Sequence, residues 1–422
     1  PSPRVKVLHV ITRFSAGAGG NTLLSATGMD PSRYDVWIAG CAGGELWSRA
    51  KEAGVSTAII PHLRHELAPV DDALALAELI RLMRRERFTI VHAHSAKAGF
   101  LGRLAARLAG VPVIIYSLHG RDPWWPDERG GAPSPARATM SPASRTAFLA
   151  LERSLRPITH AFIAVAPRVA RDAVEARIAP AGRIDVAYSA VELDDIPTRP
   201  DPGVRAELGI PSGVPLIGTV GRLDPQKAPL DFVRMAAAVG RTVPSAVFVM
   251  VGDGDLKTET EAEAKRLGVD VRFPGFRADA PRIASAFDVF VISSLYEGVG
   301  RALTEAMASA RPVVATAVDG IVDVVEPAVT GLLSEPGRPE ELAERVVWML
   351  EHRAEARGMG YRASRLVRET FDQAVMCRAL DSVYSRCLGL PQPALARHEP
   401  RPTPFATFPG PPSPFETRGE FQ

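Results

Sequence analysis

The sequence predicts an α/β protein built from two Rossmann-like, doubly wound parallel-sheet domains. Short, nearly all-apolar segments alternate with amphipathic helical segments along most of the 422 residues. This pattern is typical of parallel strands that helices cover on both faces. A proline-rich stretch, DIPTRPDPG (195–203), interrupts the alternation, which then restarts. We expect the two domains to face each other across a cleft lined by the carboxyl ends of their strands, where open α/β sheets bind ligands.

The strands are predicted from apolar runs bounded by glycine, proline or polar residues. The first domain covers residues 1–196, with strands at VKVLHVI (5–11), DVWIAG (35–40), STAIIP (56–61), TIVHAHS (89–95), VIIYSLHG (113–120), HAFIAVA (160–166) and IDVAYSAV (184–191). The second covers residues 204–371, with strands at PLIGTVG (215–221), AVFVMVG (246–252), VDVRFPGF (269–276), VFVISS (289–294), PVVATAV (312–318) and GLLSE (331–335).

Helical spacing of apolar residues predicts helices over 71–87, 96–110 and 372–389. We expect the last of these to cross back to the first domain. The segment 390–422 is rich in proline and has no periodicity, so we expect a disordered tail.

The composition excludes several classes of protein. Lys and Arg (50) nearly balance Asp and Glu (48), and a net charge of +2 does not indicate a nucleic-acid partner. The sequence contains neither an apolar run of about 18 residues nor a signal-peptide pattern. Cys41, Cys377 and Cys387 have neither the number nor the spacing of a disulfide framework or a zinc site. We therefore expect a cytoplasmic enzyme.

Two cations follow the first strand of the second domain, in GTVGRLDPQKAPLDFVRMAA (218–237). Arg222 and Lys227 lie in the loop before a helix that we place near Pro229. A helix N-terminus favours an anion, and two cations five residues apart could clamp a diphosphate. The alternative is an ordinary solvated loop, and this segment alone does not decide between them.

The stretch YEGVGRALTEAM (296–307) has two glutamates eight positions apart. Gly298 and Gly300 allow close approach of a ligand to the backbone just before a helix. Glu305, in the first or second helical turn, could accept hydrogen bonds from the vicinal hydroxyls of a ribose. Glu297, at the strand end, would point into the cleft. The alternative is that both carboxylates merely favour a positive helix end and a solvated face.

These segments occur together with others in a recognisable order. EGVGRALTEAMA contains an E-x7-E signature and is accompanied by GTVGRLDPQK, VMVGDGDL, FPGF, RPVVATAVDG and TGLLSEPG. The first domain adds GAGGNTLL (17–24), IVHAHSAKAGFLGRLAARLAGVPV (90–113), SLHG (117–120) and HAFIAVA (160–166). On these motifs, over roughly residues 5–388, the chain resembles the retaining glycosyltransferases of family 4, which have the two-domain GT-B fold.

The resemblance implies an acceptor-side first domain, a donor-binding second domain and a role for each matching residue. Arg222 and Lys227 would hold the diphosphate of a nucleotide sugar, Glu297 its sugar hydroxyls and Glu305 its ribose. The backbone amides of the loop Gly298, Val299, Gly300 and Arg301 would contact the sugar or phosphate, and Gly275 and Phe276 would contact the base. Gly19 and Gly20 would close over the donor from the first domain. His119 would form a hydrogen bond with the sugar.

The implied reaction is retaining and needs no metal or other cofactor, with UDP, GDP or dTDP as the undecided nucleotide. Asp253-Gly254-Asp255 has the D-x-D pattern of metal-binding glycosyltransferases, but it matches the turn VGDG of this family, so we interpret it as solvated turn residues. Alternatives are a nucleotide-sugar epimerase or hydrolase on the same fold, or a non-catalytic nucleotide-sugar-binding subunit.

Four short stretches depart from the family pattern, and in one of them GIPE becomes Gly320-Ile321-Val322-Asp323. Ser189-Ala190 replaces an Asn-Gly pair, Asp319-Gly320 replaces Gly-Gly, and Asn21-Thr22 stands where an acidic residue is common.

The acceptor is predicted only by class: a glycan, a lipid-linked saccharide or a small natural product. Trp124-Trp125 lies in a long irregular segment (120–145) that we expect to border the acceptor. The arginine-rich helix 74–88 is either an ordinary surface helix, which we favour, or a peripheral anchor at the inner face of the membrane. The oligomeric state is not predicted.

Overall fold

The computed structural model describes residues 4–15, 17–64, 68–120 and 141–391. These residues form two compact units. Unit 1 comprises the chain up to Val191 together with the described residues from Phe371 onward, and unit 2 comprises Glu192–Thr370. The predicted Trp124-Trp125 loop and the tail from residue 392 lie outside the described residues.

Unit 1 contains a seven-stranded parallel sheet in the order β3-β2-β1-β4-β5-β6-β7. Its strands are β1 (Val5–Ile11), β2 (Tyr34–Gly40), β3 (Ser56–Ile59), β4 (Ile90–His94), β5 (Val113–Leu118), β6 (Ala161–Ala164) and β7 (Ile184–Val186). Every residue of β4, β5 and β6 is buried, which agrees with the apolar sequence of most of these strands, and the buried polar residues of β4 are His92 and His94.

Helices surround this sheet. They are α1 (Ala18–Gly28), α2 (Leu46–Glu52), α3 (Pro69–Glu86), α4 (Ala96–Ala109), α5 (Pro142–Ser154), α6 (Pro167–Glu175) and, from the end of the chain, α14 (Gln373–Leu388). Leu380 and Tyr384 of α14 belong to the same core cluster as Val7 and Ile115 of the sheet. The side chain of Asp372 caps α14 by accepting a hydrogen bond from the Ala374 N–H at 2.7 Å.

Unit 2 contains a six-stranded parallel sheet in the order β10-β9-β8-β11-β12-β13. Its strands are β8 (Leu216–Val220), β9 (Val247–Val251), β10 (Val271–Gly275), β11 (Val289–Ile292), β12 (Val313–Thr316) and β13 (Leu332–Ser334). Its helices are α7 (Pro202–Glu207), α8 (Pro229–Thr242), α9 (Lys257–Leu267), α10 (Ala280–Ser285), α11 (Arg301–Ala308), α12 (Pro339–Glu351) and α13 (Arg353–Thr370).

The chain enters and leaves unit 1 at neighbouring points. The Val191 N–H donates to the Phe371 carbonyl at 2.9 Å, and Val191 forms a parallel bridge with Asp372. Along the chain, unit 2 is therefore inserted between two segments of unit 1 that are hydrogen-bonded to each other.

The predicted fold class and strands are confirmed, and the differences lie at strand ends. The run 184–191 is strand only over Ile184–Val186, and the run 56–61 ends as strand at Ile59. The three predicted helices correspond to α3, α4 and α14. In the part of the chain that the structure describes, no helix combines the length and the apolarity needed to cross a bilayer.

Candidate active site

The candidate site in unit 2 lies where the strand order of the sheet reverses. β8 pairs with β9 on one side and with β11 on the other, so the loops that follow β8 and β11 diverge in opposite directions. Open α/β sheets bind ligands at such a switch point. A pocket is found here, lined by the β8 loop, including Gly221, Arg222 and Lys227, and by Ser293 and Ser294 after β11.

Hydrogen bonds join the two loops that form this pocket. The Leu295 N–H donates to the Gln226 carbonyl at 2.8 Å, and Nε2 of Gln226 donates to the Tyr296 carbonyl at 3.1 Å. The Ser293 hydroxyl donates to the Lys227 carbonyl at 2.9 Å. These three bonds fix the backbone from which the candidate side chains project.

Lys227, which lines the pocket, forms an ion pair with Glu297. Nζ of Lys227 donates to Oε1 of Glu297, which also accepts from the Ser294 hydroxyl at 3.0 Å. The Glu297 side chain is only 7% exposed, so the lysine compensates a buried carboxylate. β11 ends at Ile292, so Glu297 lies in the loop after the strand and not at the strand end as we expected.

Arg222 is the more exposed of the two predicted cations. Its guanidinium is 63% exposed, lies 2.9 Å from Oδ2 of Asp224 and donates to Oε1 of Gln226 at 3.0 Å. Arg222 and Lys227 precede the N-terminus of α8, where free backbone N–H groups favour an anion. The combination provides one sheltered and one exposed positive charge for a phosphate group.

Glu305 lies in the second turn of α11 and is held by Arg301. Nε of Arg301 donates to Oε1 of Glu305 at 2.7 Å, and its NH2 group donates to Oε2 of Glu192 at 3.1 Å. Burial raises the pKa of Glu305, although Arg301 opposes this shift. Among the described residues, Oε2 of Glu305 has no hydrogen-bond partner, so one carboxylate oxygen remains available to a ligand.

The other predicted residues of unit 2 lie in loops at the same edge of the sheet. Gly300 precedes α11 at φ +83°, a left-handed conformation that favours glycine. Gly275 ends β10, and the Phe276 side chain after it is 67% exposed. Gly298 is partly buried and Val299 is 4% exposed.

The D-x-D pattern is explained by the packing of its turn. A Cβ atom at Gly254 would lie 2.5 Å from the Leu223 carbonyl oxygen, so the turn lies close against the β8 loop. Asp253 is 60% exposed and its nearest cation is Lys257 at 3.9 Å, while Asp255 is exposed. This arrangement agrees with the interpretation as solvated turn residues.

In unit 1, four histidines lie at the corresponding reversal, between β1 and β4 and the neighbouring β5. Nδ1 of His9 lies 2.8 Å from Nε2 of His94, and Nδ1 of His94 lies 2.9 Å from Nε2 of His119. We call His9, His94 and His119 the histidine chain. His92 lies beside it, with its nitrogens 2.7 Å from the Tyr384 hydroxyl and 2.6 Å from the Ser117 hydroxyl.

One ring nitrogen each of His9, His92 and His94 lies within 4.8 Å of the others, a spacing at which three histidines could bind a metal ion. Both nitrogens of His92 and of His94, and one of His9, already have hydrogen-bond partners. A metal would have to break several of these bonds. The donor set therefore fits a hydrogen-bond network better than a metal centre.

Gly19 and Gly20 lie in the first turn of α1, both buried. A Cβ atom at Gly19 would lie 3.2 Å from the carbonyl carbon of Phe14, so this glycine permits close packing of α1 on the loop after β1. Their predicted contact with a ligand stays a prediction.

Comparison with known proteins decides the family. A family model described as Glycosyltransferase Family 4 matches residues 15–195, and one described as Glycosyl transferases group 1 matches residues 202–366. A 2-deoxystreptamine glucosyltransferase of Streptomyces kanamyceticus is 30% identical over 290 residues, which span 66% of this chain and 72% of that protein. The chain belongs to glycosyltransferase family 4. The predicted family and enzyme class are thereby confirmed.

Further similarities to this family 4 glycosyltransferase cover more of its length. The UDP-Gal:alpha-D-GlcNAc-diphosphoundecaprenol alpha-1,3-galactosyltransferase of Escherichia coli is 27% identical over 340 residues, 79% of this chain and 84% of that protein. The structure of Anabaena HepE in complex with UDP and glucose has a TM-score of 0.75 at 21% identity, covering 91% of this chain and 100% of that one. Sucrose-phosphate synthase from Thermosynechococcus elongatus has a TM-score of 0.76 at 17% identity, with 92% and 100% covered. These structural similarities confirm the GT-B fold.

The structure of this glycosyltransferase also reveals residues that sequence reasoning missed. Oδ2 of Asp319 accepts from the Glu297 N–H at 3.0 Å. Asn21 and Ala190, both departures from the family pattern, contact each other, since Oδ1 of Asn21 accepts from the Ala190 N–H at 3.0 Å. The departures were visible in sequence and were the available signal, but their hydrogen-bond partners were not.

Proposed function

We propose that this glycosyltransferase moves a hexose-type sugar from a nucleoside-diphosphate sugar to an acceptor hydroxyl, with retention of anomeric configuration and without a metal ion. The observation that carries the proposal is the ion pair of Glu297 with Lys227, which lines the pocket at the β8–β11 switch point. It places a sheltered cation and a hydrogen-bonding carboxylate side by side, as a diphosphate linked to a sugar requires.

The charges suit the departure of a diphosphate. When the bond between the anomeric carbon and the phosphate oxygen breaks, negative charge accumulates on the leaving nucleotide. Lys227, Arg222 and the N-terminus of α8 can stabilise that charge, and preformed electrostatic stabilisation of this kind is usually the largest contribution to catalysis. The same positive charges would do the work that a divalent ion does elsewhere.

We assign the two carboxylates to different parts of the donor. Glu297 would accept hydrogen bonds from the sugar hydroxyls, and the free Oε2 of Glu305 would accept one from the ribose. The amides near Val299, Gly300 and Arg301 would contact the sugar or phosphate, since the first N–H groups of α11 have no partners within the helix. His119, Gly19 and Gly20 would contribute from unit 1, and Gly275 with Phe276 would contact the base.

Uracil is the base that we propose to test first. The Escherichia coli relative is named for UDP-Gal, and the HepE complex contains UDP and glucose. For the acceptor, that relative is named for a diphosphoundecaprenol-linked sugar and the Streptomyces relative for 2-deoxystreptamine. We propose a hydroxyl of a lipid-linked saccharide, because the Escherichia coli relative matches over a larger share of both chains. Peripheral contact with a membrane would accompany such an acceptor.

The experiment is a thermal-shift titration with UDP, GDP, dTDP and ADP in the presence of EDTA, on the wild type, Lys227→Met and Lys257→Met. Lys257 serves as the control because it lies outside the pocket, beside Asp253. A nucleotide at 100 times its Kd should stabilise the protein by about 2.7 kcal/mol. We expect stabilisation by one nucleotide in the wild type and the control, and a strong reduction in Lys227→Met. Equal stabilisation of all three proteins, or a requirement for a divalent ion, would contradict the proposal.

Transfer is then assayed with the UDP-sugar and both acceptor classes, a polyprenyl-diphosphate-linked sugar and 2-deoxystreptamine. NMR of the product gives the anomeric configuration, which we expect to match that of the donor. Release of free sugar without any transfer would favour a hydrolase instead.

A further inference from the structure

The histidine chain runs from the core of unit 1 to the carboxyl edge of its sheet. His9 is fully buried in β1, His94 is the last residue of β4, and His119 follows the end of β5 and is partly exposed. Two contacts join the rings, His9 Nδ1 to His94 Nε2 at 2.8 Å and His94 Nδ1 to His119 Nε2 at 2.9 Å. Both distances are those of good hydrogen bonds.

The three rings are neutral at physiological pH. Burial lowers the pKa of His119 to about 4, and burial together with the neighbouring His119 lowers that of His9 to about 3. Burial also holds the pKa of His94 well below its usual range. The ring centroids of His9 and His94, and those of His94 and His119, are 5.1 Å apart, so two adjacent protonated rings would repel each other strongly in this buried environment.

Counting protons leaves two arrangements. Three neutral rings carry three protons, and each of the two contacts between rings needs one proton to be a hydrogen bond. The third proton is therefore at one end of the chain. It is either on Nε2 of His9, in the core, or on Nδ1 of His119, at the edge of the sheet.

The surroundings of His9, at the buried end of the histidine chain, decide between the two proton arrangements. Nε2 of His9 is buried and has no hydrogen-bond partner among the described residues. A proton there would be an orphaned N–H group, which is rarer in proteins than an acceptor lacking a partner. In the other arrangement the proton on His119 can meet water or a ligand.

We propose that the histidine chain holds His119 as the Nδ1–H tautomer, so that His119 offers a hydrogen-bond donor to an oxygen of a bound substrate. His9 and His94 are positioning residues that act through it. In this arrangement Nε2 of His119 accepts from His94 and Nδ1 carries the proton, so the ring has no free lone pair with which to accept a proton, and its role is to orient a hydroxyl or phosphate oxygen. That His119 donates this hydrogen bond to a donor sugar rests on the proposed function, whereas the assignment of the tautomer does not.

The test is a long-range ¹H–¹⁵N NMR spectrum of the ligand-free protein at pH 7.5, labelled with ¹⁵N-histidine. Among the nine histidines, the signals of His119 and His94 are assigned as those missing from the spectra of His119→Asn and His94→Leu. We expect Nδ1 of His119 to have a pyrrole-type shift and Nε2 a pyridine-type shift. The reverse pattern, or an imidazolium pattern, would overturn the proposal whether or not the protein transfers sugar.

The positioning role is tested by the same spectrum of His94→Leu, with Tyr384→Phe as the control. Tyr384 is equally buried and contacts His92 but none of the rings of the histidine chain through a hydrogen bond. In His94→Leu we expect His119 to lose its single tautomer and kcat/KM for transfer to fall roughly tenfold. Tyr384→Phe should keep the tautomer. An unchanged His119 pattern in His94→Leu would show that the chain does not set it.

Discussion

The carboxylate of Asp319 accepts a hydrogen bond from the backbone N–H of Glu297, with Oδ2 3.0 Å from that nitrogen. In return the Gly320 N–H donates to the Glu297 carbonyl at 3.4 Å. Asp319 makes this contact at φ +35°, a left-handed conformation that strains a residue with a side chain. The loop after β12 thus holds in place the backbone of the carboxylate that pairs with Lys227.

Substitution of Asp319 separates the hydrogen bond from the strain. Asp319→Ala loses the bond and keeps the strain, whereas Asp319→Gly loses the bond and relieves the strain. Because left-handed backbone costs a non-glycine residue about 1–2 kcal/mol, Asp319→Gly should be more stable than Asp319→Ala by about 1 kcal/mol. Urea unfolding measures this difference, and kcat/KM for transfer should fall in both variants. The exposed Asp255→Ala is the control, and equal stabilities of the two Asp319 variants would contradict the prediction.

Glu297→Gln should affect nucleotide binding and sugar transfer in opposite directions. Without the carboxylate, Lys227 is released from its ion pair and is free to bind a diphosphate. We expect the Kd for UDP, measured by calorimetry, to be unchanged or a few-fold lower, while kcat with the UDP-sugar falls about 100-fold. If UDP binding weakens as much as transfer does, the glutamate supports the pocket rather than the sugar.

Glu305→Gln should abolish discrimination between ribose and deoxyribose. If Oε2 of Glu305 accepts from a ribose hydroxyl, the wild type should bind UDP roughly tenfold more tightly than 2′-deoxy-UDP, since a hydrogen bond to a charged group contributes about 1.5–3 kcal/mol. The variant should bind both nucleotides with similar Kd values. Retention of the wild-type ratio in Glu305→Gln would exclude this carboxylate from ribose recognition.

The buried histidines should make the protein less stable in acid. In the unfolded chain a histidine takes up a proton near pH 6.5, whereas in the folded protein His119 stays neutral to about pH 4 and His9 to about pH 3. The unfolded state therefore binds more protons below pH 6.5, and stability falls as the pH falls from there, by about 1.4 kcal/mol per pH unit for each such ring. Urea unfolding at pH 7.0, 6.0 and 5.0 measures the slope.

His9→Phe removes one of these rings, so its slope should be shallower than that of the wild type by about 1.4 kcal/mol per pH unit. His62→Asn is the matched control, because His62 lies outside the cluster and bonds to Glu78. A His9→Phe slope as steep as that of the wild type would be inconsistent with a neutral His9 in the folded protein.

Arg103 and Glu152 form a fully buried ion pair between α4 and α5, with NH2 of Arg103 2.6 Å from Oε2 of Glu152. The guanidinium also lies 4.0 Å from the ring centroid of Tyr116. Arg103→Met leaves the carboxylate unpaired and should destabilise the protein by about 3–5 kcal/mol, whereas the double variant Arg103→Met/Glu152→Leu should recover most of this loss. Urea unfolding tests both, and a double variant less stable than Arg103→Met would refute the explanation.

The sequence predicted the sheets well because strands buried on both faces need continuous apolar runs, and those runs are visible without any structure. It did not predict how far β7 extends, because the run 184–191 continues beyond Val186, where the strand ends. The sequence predicted which residues form the candidate site, but it did not predict which of them contact each other. Lys227 and Glu297 are 70 positions apart, and His9 and His94 are 85 apart, so only the folded chain reveals that each pair is joined.

Asp319 shows what could not be predicted from the sequence alone. The sequence shows that it replaces a glycine of the family pattern. Its left-handed backbone explains why glycine suits the position, but its contact with Glu297 depends on a loop 22 positions away.

The hydrogen bond between Val191 and Phe371 has a consequence for biosynthesis. Unit 2 is contiguous in the chain, so all of its core residues are synthesised before α14. Unit 1 must wait, because Leu380 and Tyr384 complete the core around Val7 and Ile115. Unit 2, although it is encoded after most of unit 1, therefore has its complete sequence earlier, and unit 1 remains incomplete until α14 is translated.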